Sequence, residues 1–324
     1  MSSGQPPHPF ASNVLIADIG GSNSRFALVG PDVRPAQMQA IDNDDRSSLQ
    51  DAISQYLAKV GIQPEMAVLA VAGPVTEEEV YLTNRPAWRF RREALAQDCG
   101  LGPVHVLNDF EALAWAVPRL HDSDMHALGP ARPGAAGPQV VLGPGTGLGA
   151  AALIPVGDHW QVVATESGHA SFGPRHADEF QIFQRMRAKG GAMSVEDVLS
   201  GGGLERLAIA LEQGKPLSSE KIVAHALAGE AHALMAVRLF VRLLGRFAGD
   251  LALIFKATGG VYLAGGVGRG IKQLLDEPAF RAAFEDHPPY GELLTHIPTM
   301  LITYPEPGLL GCAAVAERLV RQSS

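Results

Sequence analysis

Two glycine-rich bends, each entered and left by an apolar run, are the parts of this chain best suited to hold an anion. The first is Ala17-Asp18-Ile19-Gly20-Gly21-Ser22-Asn23-Ser24-Arg25, entered from residues 14–16 and left through 26–29. The second carries Gly143, Gly145, Gly147 and Gly149, entered from residues 140–142 and left through 150–154. At glycine, backbone N–H groups approach a phosphate with no Cβ in the way, and positive φ is reached at little cost. Two such bends imply two lobes clasping one nucleotide. Asp18 closes the first apolar run, where a carboxylate orients Mg²⁺ through water, because Mg²⁺ resists full dehydration. Its alternative role is an Asx turn that caps the bend. Ser22, Asn23 and Ser24 add donors, and Arg25 is a phosphate contact or a solvated surface charge.

A second set of side chains suits a reaction at a hydroxyl. Asp109, after Asn108, has the chemistry of a general base that accepts a hydroxyl proton as oxygen attacks phosphorus. The same dipeptide also makes a good helix N-cap. In Glu166-Ser167-Gly168-His169 small residues separate a carboxylate from an imidazole. With Asn108, these groups match a ligand covered in hydroxyls, each of which both gives and takes a hydrogen bond. Glu196, after Ser194, has the position of an ordinary acid at a helix start.

Neither bend is a P-loop, since G-x-x-x-x-G-K-[ST] is absent. Gly145-Thr146-Gly147-Leu148-Gly149-Ala150 matches the dinucleotide pattern, with Glu166 about twenty residues on. A Rossmann turn opens a crossover helix, however, and here Pro155 and Gly157 follow a short apolar run that reads as a returning strand. The hairpin is the preferred reading.

Elements must bring these residues together. Residues 46–60 read as a helix ended by Gly61, 66–72 as a buried strand ending at Gly73-Pro74, and 91–98 as a short helix. Residues 104–107 form a strand running into Asn108-Asp109, followed by a helix over 110–117 that Pro118 ends. That junction is the usual address of a ligand site in an open α/β sheet. The change of lobe falls between Pro118 and the Gly/Pro-rich stretch 129–138. Helices are expected over 181–189, 194–199, 204–212 and 231–255, and a strand over 260–264 ending in Gly265-Gly266. After Pro305, Pro307 and the glycine-bearing residues 308–311 comes a last helix over 312–320. The order is α/β throughout, with a weak internal duplication of the strand, glycine bend, strand unit.

The 324 residues, 46% of them hydrophobic, suit about two domains. A net charge of −8 argues against a general nucleic-acid surface. Cys99 and Cys312 are far apart, so neither a disulfide framework nor a zinc cluster is expected, and a reducing cytoplasm fits. Residues 1–12 read as a flexible tail rather than a signal peptide. The long apolar tract over 231–255 carries Arg238, Arg242, Arg246 and Asp250 at i, i+4, i+8 and i+12, one stripe on an otherwise apolar helix. It reads as a buried scaffold helix with one polar edge, not a membrane span.

Taken in order, these motifs resemble the bacterial glucokinase family, within the sugar kinase, Hsp70 and actin superfamily. The resemblance rests on Asp18-Ile19-Gly20-Gly21, Asn108-Asp109-Phe110, the bend from Gly143 to Gly149, Glu166-Ser167-Gly168-His169, Glu196 in its Ser-Val-Glu-Asp setting, Gly265-Gly266 and Pro307-Gly308-Leu309-Leu310-Gly311. It covers residues 15–319. It implies a two-lobed, actin-like (ribonuclease H-like) α/β fold with a cleft between a small domain, 13–119 plus 305–324, and a large one, 120–304. It further implies ATP-dependent phosphorylation of the glucose 6-hydroxyl with Asp109 as base, and Asn108, Asp109, Glu166, His169 and Glu196 on the sugar. Asp18, Gly20, Gly21, Ser22, Asn23, Gly145, Thr146 and Gly147 would hold phosphates and Mg²⁺, and Gly265 and Gly266 the adenosine side. A cytoplasmic homodimer is implied as well. Ser22 stands where Thr is more usual, and Ser167 where Gly is common. The zinc-binding cysteine cluster usual in repressor-type sugar kinases is absent. A sugar sensor on the same fold is the alternative, and a nicotinamide enzyme a weaker one; the choice of hexose and of phosphoryl donor stays open.

Overall fold

The computed structural model describes residues 13–323 apart from 31, 74, 77, 78, 84, 131–134, 188–190 and 213–215, so the expected tail over 1–12 lies outside the described residues. Contacts divide the chain into two units, Met1–Leu120 with Pro305–Ser324, and His121–Tyr304.

The first unit is built on a run of apolar residues too continuous for a one-sided strand. Val14–Ile19 (β1) is buried along almost its whole length and takes the centre of a five-stranded sheet. Asn23–Val29 (β2) returns antiparallel after the first glycine bend, and Pro35–Asp42 (β3) forms the edge. Across Leu49–Val60 (α1), Met66–Val71 (β4) joins β1 in parallel. After the small hairpin Val80–Leu82 (β5) and Arg85–Phe90 (β6) and the helix Arg92–Cys99 (α2), Val104–Asn108 (β7) pairs parallel to β4. The sheet order is β3-β2-β1-β4-β7.

Parallel register places Ile19, Val71 and Asn108 side by side at one end of this sheet. Helix α1 covers one face with buried Leu49, Ile53 and Tyr56, each contributing about 1.5–3 kcal/mol of apolar burial. Asp109–Ala116 (α3) and the C-terminal helix Pro307–Ser323 cover the other. The C-terminal helix starts five residues earlier than expected, at Pro307. Proline suits a first helical turn, where its missing N–H costs nothing. Gly308 and Gly311 are not turn formers. A Cβ on Gly308 would lie 2.8 Å from an Asp18 carboxylate oxygen, and one on Gly311 would collide with the Ala112 carbonyl.

The second unit repeats the arrangement. Met125–Ala127 (β8), Gln139–Pro144 (β9), Leu148–Val156 (β10) and His159–Thr165 (β11) lead into the helices Ala177–Met186 (α4), Val195–Val198 (α5), Gly201–Glu212 (α6), Ser219–Leu227 (α7) and Ala231–Ile254 (α8). Gly260–Leu263 (β12), the helices Gly266–Gly270 (α9), Lys272–Leu275 (α10), Pro278–Glu285 (α11) and Gly291–Thr295 (α12), and Thr299–Ile302 (β13) follow. The order β11-β10-β9-β12-β13-β8 mirrors the first sheet, with an antiparallel hairpin joined to parallel strands. The antiparallel return of β10 onto β9 excludes the Rossmann reading.

Every member of the polar stripe on α8 has a side-chain partner. Arg238 forks onto Glu277, Arg242 meets Asp178, Arg246 meets Glu179, and Asp250 Oδ1 lies 3.0 Å from His287 Nε2. No helix among the described residues is long and apolar enough to cross a membrane.

Candidate active site

In the first unit the site grows from the aligned ends of β1, β4 and β7. Asn108 caps α3, its side-chain oxygen accepting the Phe110 N–H at 2.9 Å, and Asp109 Oδ1 accepts the same N–H at 3.0 Å. The cap and the candidate base are therefore one local structure. Asn108 also donates toward the Gly73 carbonyl at 3.4 Å. Burial pushes the Asp109 carboxyl up to about 7; the nearby Asp18 charge adds to this, and the Phe110 N–H opposes it. Asp18, also half-buried, is pushed up to about 6 by burial, with Arg25 lowering it and Glu306 raising it. Arg25 pairs with Glu306 at 2.9 Å, so it is engaged as neither a free surface charge nor an uncommitted phosphate ligand.

The first bend holds its carbonyls inward. Asn43 Nδ2 donates to Gly20 O at 2.8 Å and to Gly21 O at 3.2 Å, Asn43 N–H donates to Ser22 O, and Arg85 Nε donates to Gly21 O at 3.0 Å. Gly20 N–H closes the bend on Asn23 O. The Gly21 and Ser22 N–H groups have no acceptor among the described residues, and Ser22 and Asn23 are exposed. That is a nest open to an anion. Ser24 is not one of its donors: it is buried and donates to Asn43 Oδ1 at 2.7 Å. Asn43 and Arg85 were invisible to motif reading because they reach the bend from 23 and 64 residues away.

The second unit gathers the second bend, the Glu166–His169 turn, Glu196 and Gly265. Gly145 N–H bonds Gly147 O at 2.8 Å and Gly201 N–H bonds Gly145 O at 2.8 Å, leaving the Thr146 and Gly147 N–H groups without acceptors among the described residues. Glu196 Oε2 accepts the Leu148 N–H at 2.8 Å, and a Cβ on Gly147 would strike the same carboxylate. Gly168 must be glycine because the Leu148 carbonyl lies against it. Glu166 and His169 flank it, both exposed, with His169 near enough to Asp197 to help hold that carboxyl below its usual range, after the Ser194 hydrogen bond that dominates. Gly265 sits at φ 89° against the Pro144 carbonyl, while Gly266 opens α9 with free space where a Cβ would be.

Positive φ does not explain the bends themselves. Gly20, Gly21, Gly143, Gly145, Gly147 and Gly149 all avoid it, and close approach accounts for Gly143, which faces the Ala264 carbonyl, and for Gly147. No group of three or more His, Cys, Asp or Glu able to hold a metal occurs among the described residues. Asp18 nevertheless fits a water-bridged divalent cation. It is a half-buried carboxylate whose proton affinity is raised, and a cation beside it would restore its charge.

Known proteins agree with this geometry. A sequence model of glucokinase matches residues 15–319. A glucokinase of Rhizobium leguminosarum biovar trifolii is 41% identical over 318 residues, covering 96% of this chain and 92% of the relative. The crystal structure of a glucokinase from an Antarctic psychrotroph superposes with a TM-score of 0.85 at 31% identity, covering 95% of this chain and 99% of that one. That of Balamuthia mandrillaris glucokinase in complex with glucose gives 0.78 at 26% identity, over 94% of each. The expected actin-like α/β fold is borne out, and this chain belongs to the glucokinase family.

Proposed function

We propose that this chain transfers the terminal phosphoryl group of ATP to the 6-hydroxyl of glucose, with Asp109 as general base. In this reading O6 attacks the terminal phosphorus, its proton passes to the Asp109 carboxylate, the bond from phosphorus to the bridging oxygen breaks, and ADP leaves. The observation that carries the proposal is where Asp109 sits: one residue past the cap Asn108, at the sheet end where Ile19, Val71 and Asn108 align and the first open bend begins. Burial there raises its proton affinity, as a general base needs. Asn108, Glu166, His169 and Glu196 bind the sugar hydroxyls. The open N–H groups of Gly21, Ser22, Thr146 and Gly147 bind phosphate oxygens, with Gly20, Asn23 and Gly145 shaping the bends and Gly265-Gly266 facing adenosine.

Asp18 would hold Mg²⁺, which would supply charge neutralisation on the phosphates. Residues 13–119 with 305–324 serve as the small domain and 120–304 as the large one. The enzyme works in the cytoplasm as a homodimer.

A sugar sensor on the same fold is disfavoured because it has no use for a half-buried carboxylate at 109 with raised proton affinity. A coupled phosphorylation assay over a hexose panel, with ATP, ADP and polyphosphate as donors, tests the proposal. Glucose with ATP and Mg²⁺ gives the highest kcat/KM. Absence of any hexose phosphorylation, or protection against thermal unfolding by NAD rather than ATP with Mg²⁺, overturns it.

A further inference from the structure

Residues 170–173 run from the Glu166–His169 turn as a strap held along both edges. On one edge Val195 N–H donates to Ala170 O at 2.9 Å, Phe172 N–H donates to Met193 O at 2.8 Å, and Ser171 bridges Ser194, which joins the strap to the segment carrying Glu196. On the other edge stands Arg246, buried in the middle of α8. One arm of its guanidinium meets Glu179 Oε2 at 2.9 Å, the other donates to Gly173 O at 2.8 Å, and its Cζ lies 4.2 Å from the Phe172 ring centre. Glu179, fully buried, also accepts the Arg175 N–H at 2.8 Å and lies 3.4 Å from Arg242. A buried pair of this kind adds little net stability compared with apolar residues of like volume. Its cost is understandable if it fixes geometry.

We propose that the Arg246–Glu179 pair is a positioning device for glucose, locking the strap so that Glu166, His169 and Glu196 keep one arrangement. This rests on the assignment of those three residues to the sugar. Arg246 touches no substrate. It acts through Gly173 and Phe172, on residues whose misplacement by about an ångström costs up to a hundredfold.

The test uses the full-length enzyme with Arg246→Met combined with Glu179→Gln, which leaves no unpaired buried charge and keeps an acceptor for Arg175, and separately Arg246→Lys. Glucose KM is expected to rise about tenfold or more in the double variant while the ATP KM stays within about twofold, with Arg246→Lys intermediate. If the double variant does not fold, Arg246→Lys alone decides by the same split. A folded variant whose glucose KM is unchanged, or whose glucose and ATP KM rise equally, overturns the positioning role. A wild-type enzyme inactive on every hexose instead overturns the proposed function beneath it.

Discussion

Asp109 is held between two opposing influences, burial beside Asp18 on one side and the Phe110 N–H on the other. The net result, a carboxyl at about 7 rather than the ordinary 3.8, has two consequences of opposite sense. The proposed base role needs the ionised form, so kcat/KM should fall about tenfold per pH unit below about 7. A profile flat from pH 5 to 8 would remove Asp109 from the base role. For stability the folded protein holds this proton more tightly than the unfolded chain does. The contribution is therefore full below about pH 4 and is lost as pH rises to about 7. Replacing the acid by its neutral isostere removes that penalty. Asp109→Asn should raise the thermal midpoint by about 2–5 °C at pH 8 and leave it unchanged near pH 4, as followed by circular dichroism.

At the scale of elements, the glycines divide by what presses on them. Gly265 at φ 89° lies against the Pro144 carbonyl, whereas Gly266 has open space around it. Gly265→Ala should destabilise by about 1–3 kcal/mol in thermal unfolding, and Gly266→Ala should fold normally. Equal effects of the two would contradict the geometry. Both hairpins and the β7–α3 junction were legible because their signals are local: apolar runs broken by glycine, and a capping Asn-Asp pair. Strand β3 was not, since an edge strand half open to water carries little apolar signal. The start of the C-terminal helix was misread because Gly308 and Gly311 are small to admit Asp18 and Ala112, a tertiary cause that composition reports as a turn. Asn43, Arg85 and Glu306 were missed for a related reason. They act on the site from distant segments, through hydrogen bonds and an ion pair that no spacing rule encodes.

For the molecule as a whole, each unit carries its own glycine bend and its own set of polar side chains. One carries the two aspartates and a bend with open N–H groups, the other the Glu166–His169 turn and a second such bend. The faint duplication in the sequence becomes, in three dimensions, two sheets with the same hairpin-plus-parallel order. A ligand that binds only the folded protein stabilises it by mass action, about 2.7 kcal/mol at a hundred times its Kd. Glucose, and ATP with Mg²⁺, should each raise the thermal midpoint, and NAD should not. The most direct measurement pairs calorimetric glucose binding with steady-state turnover for Asp109→Asn. With Asp109 as base, the glucose Kd stays within a fewfold of wild type and kcat falls by about 10²–10⁴. A variant that turns over at near the wild-type rate would contradict it.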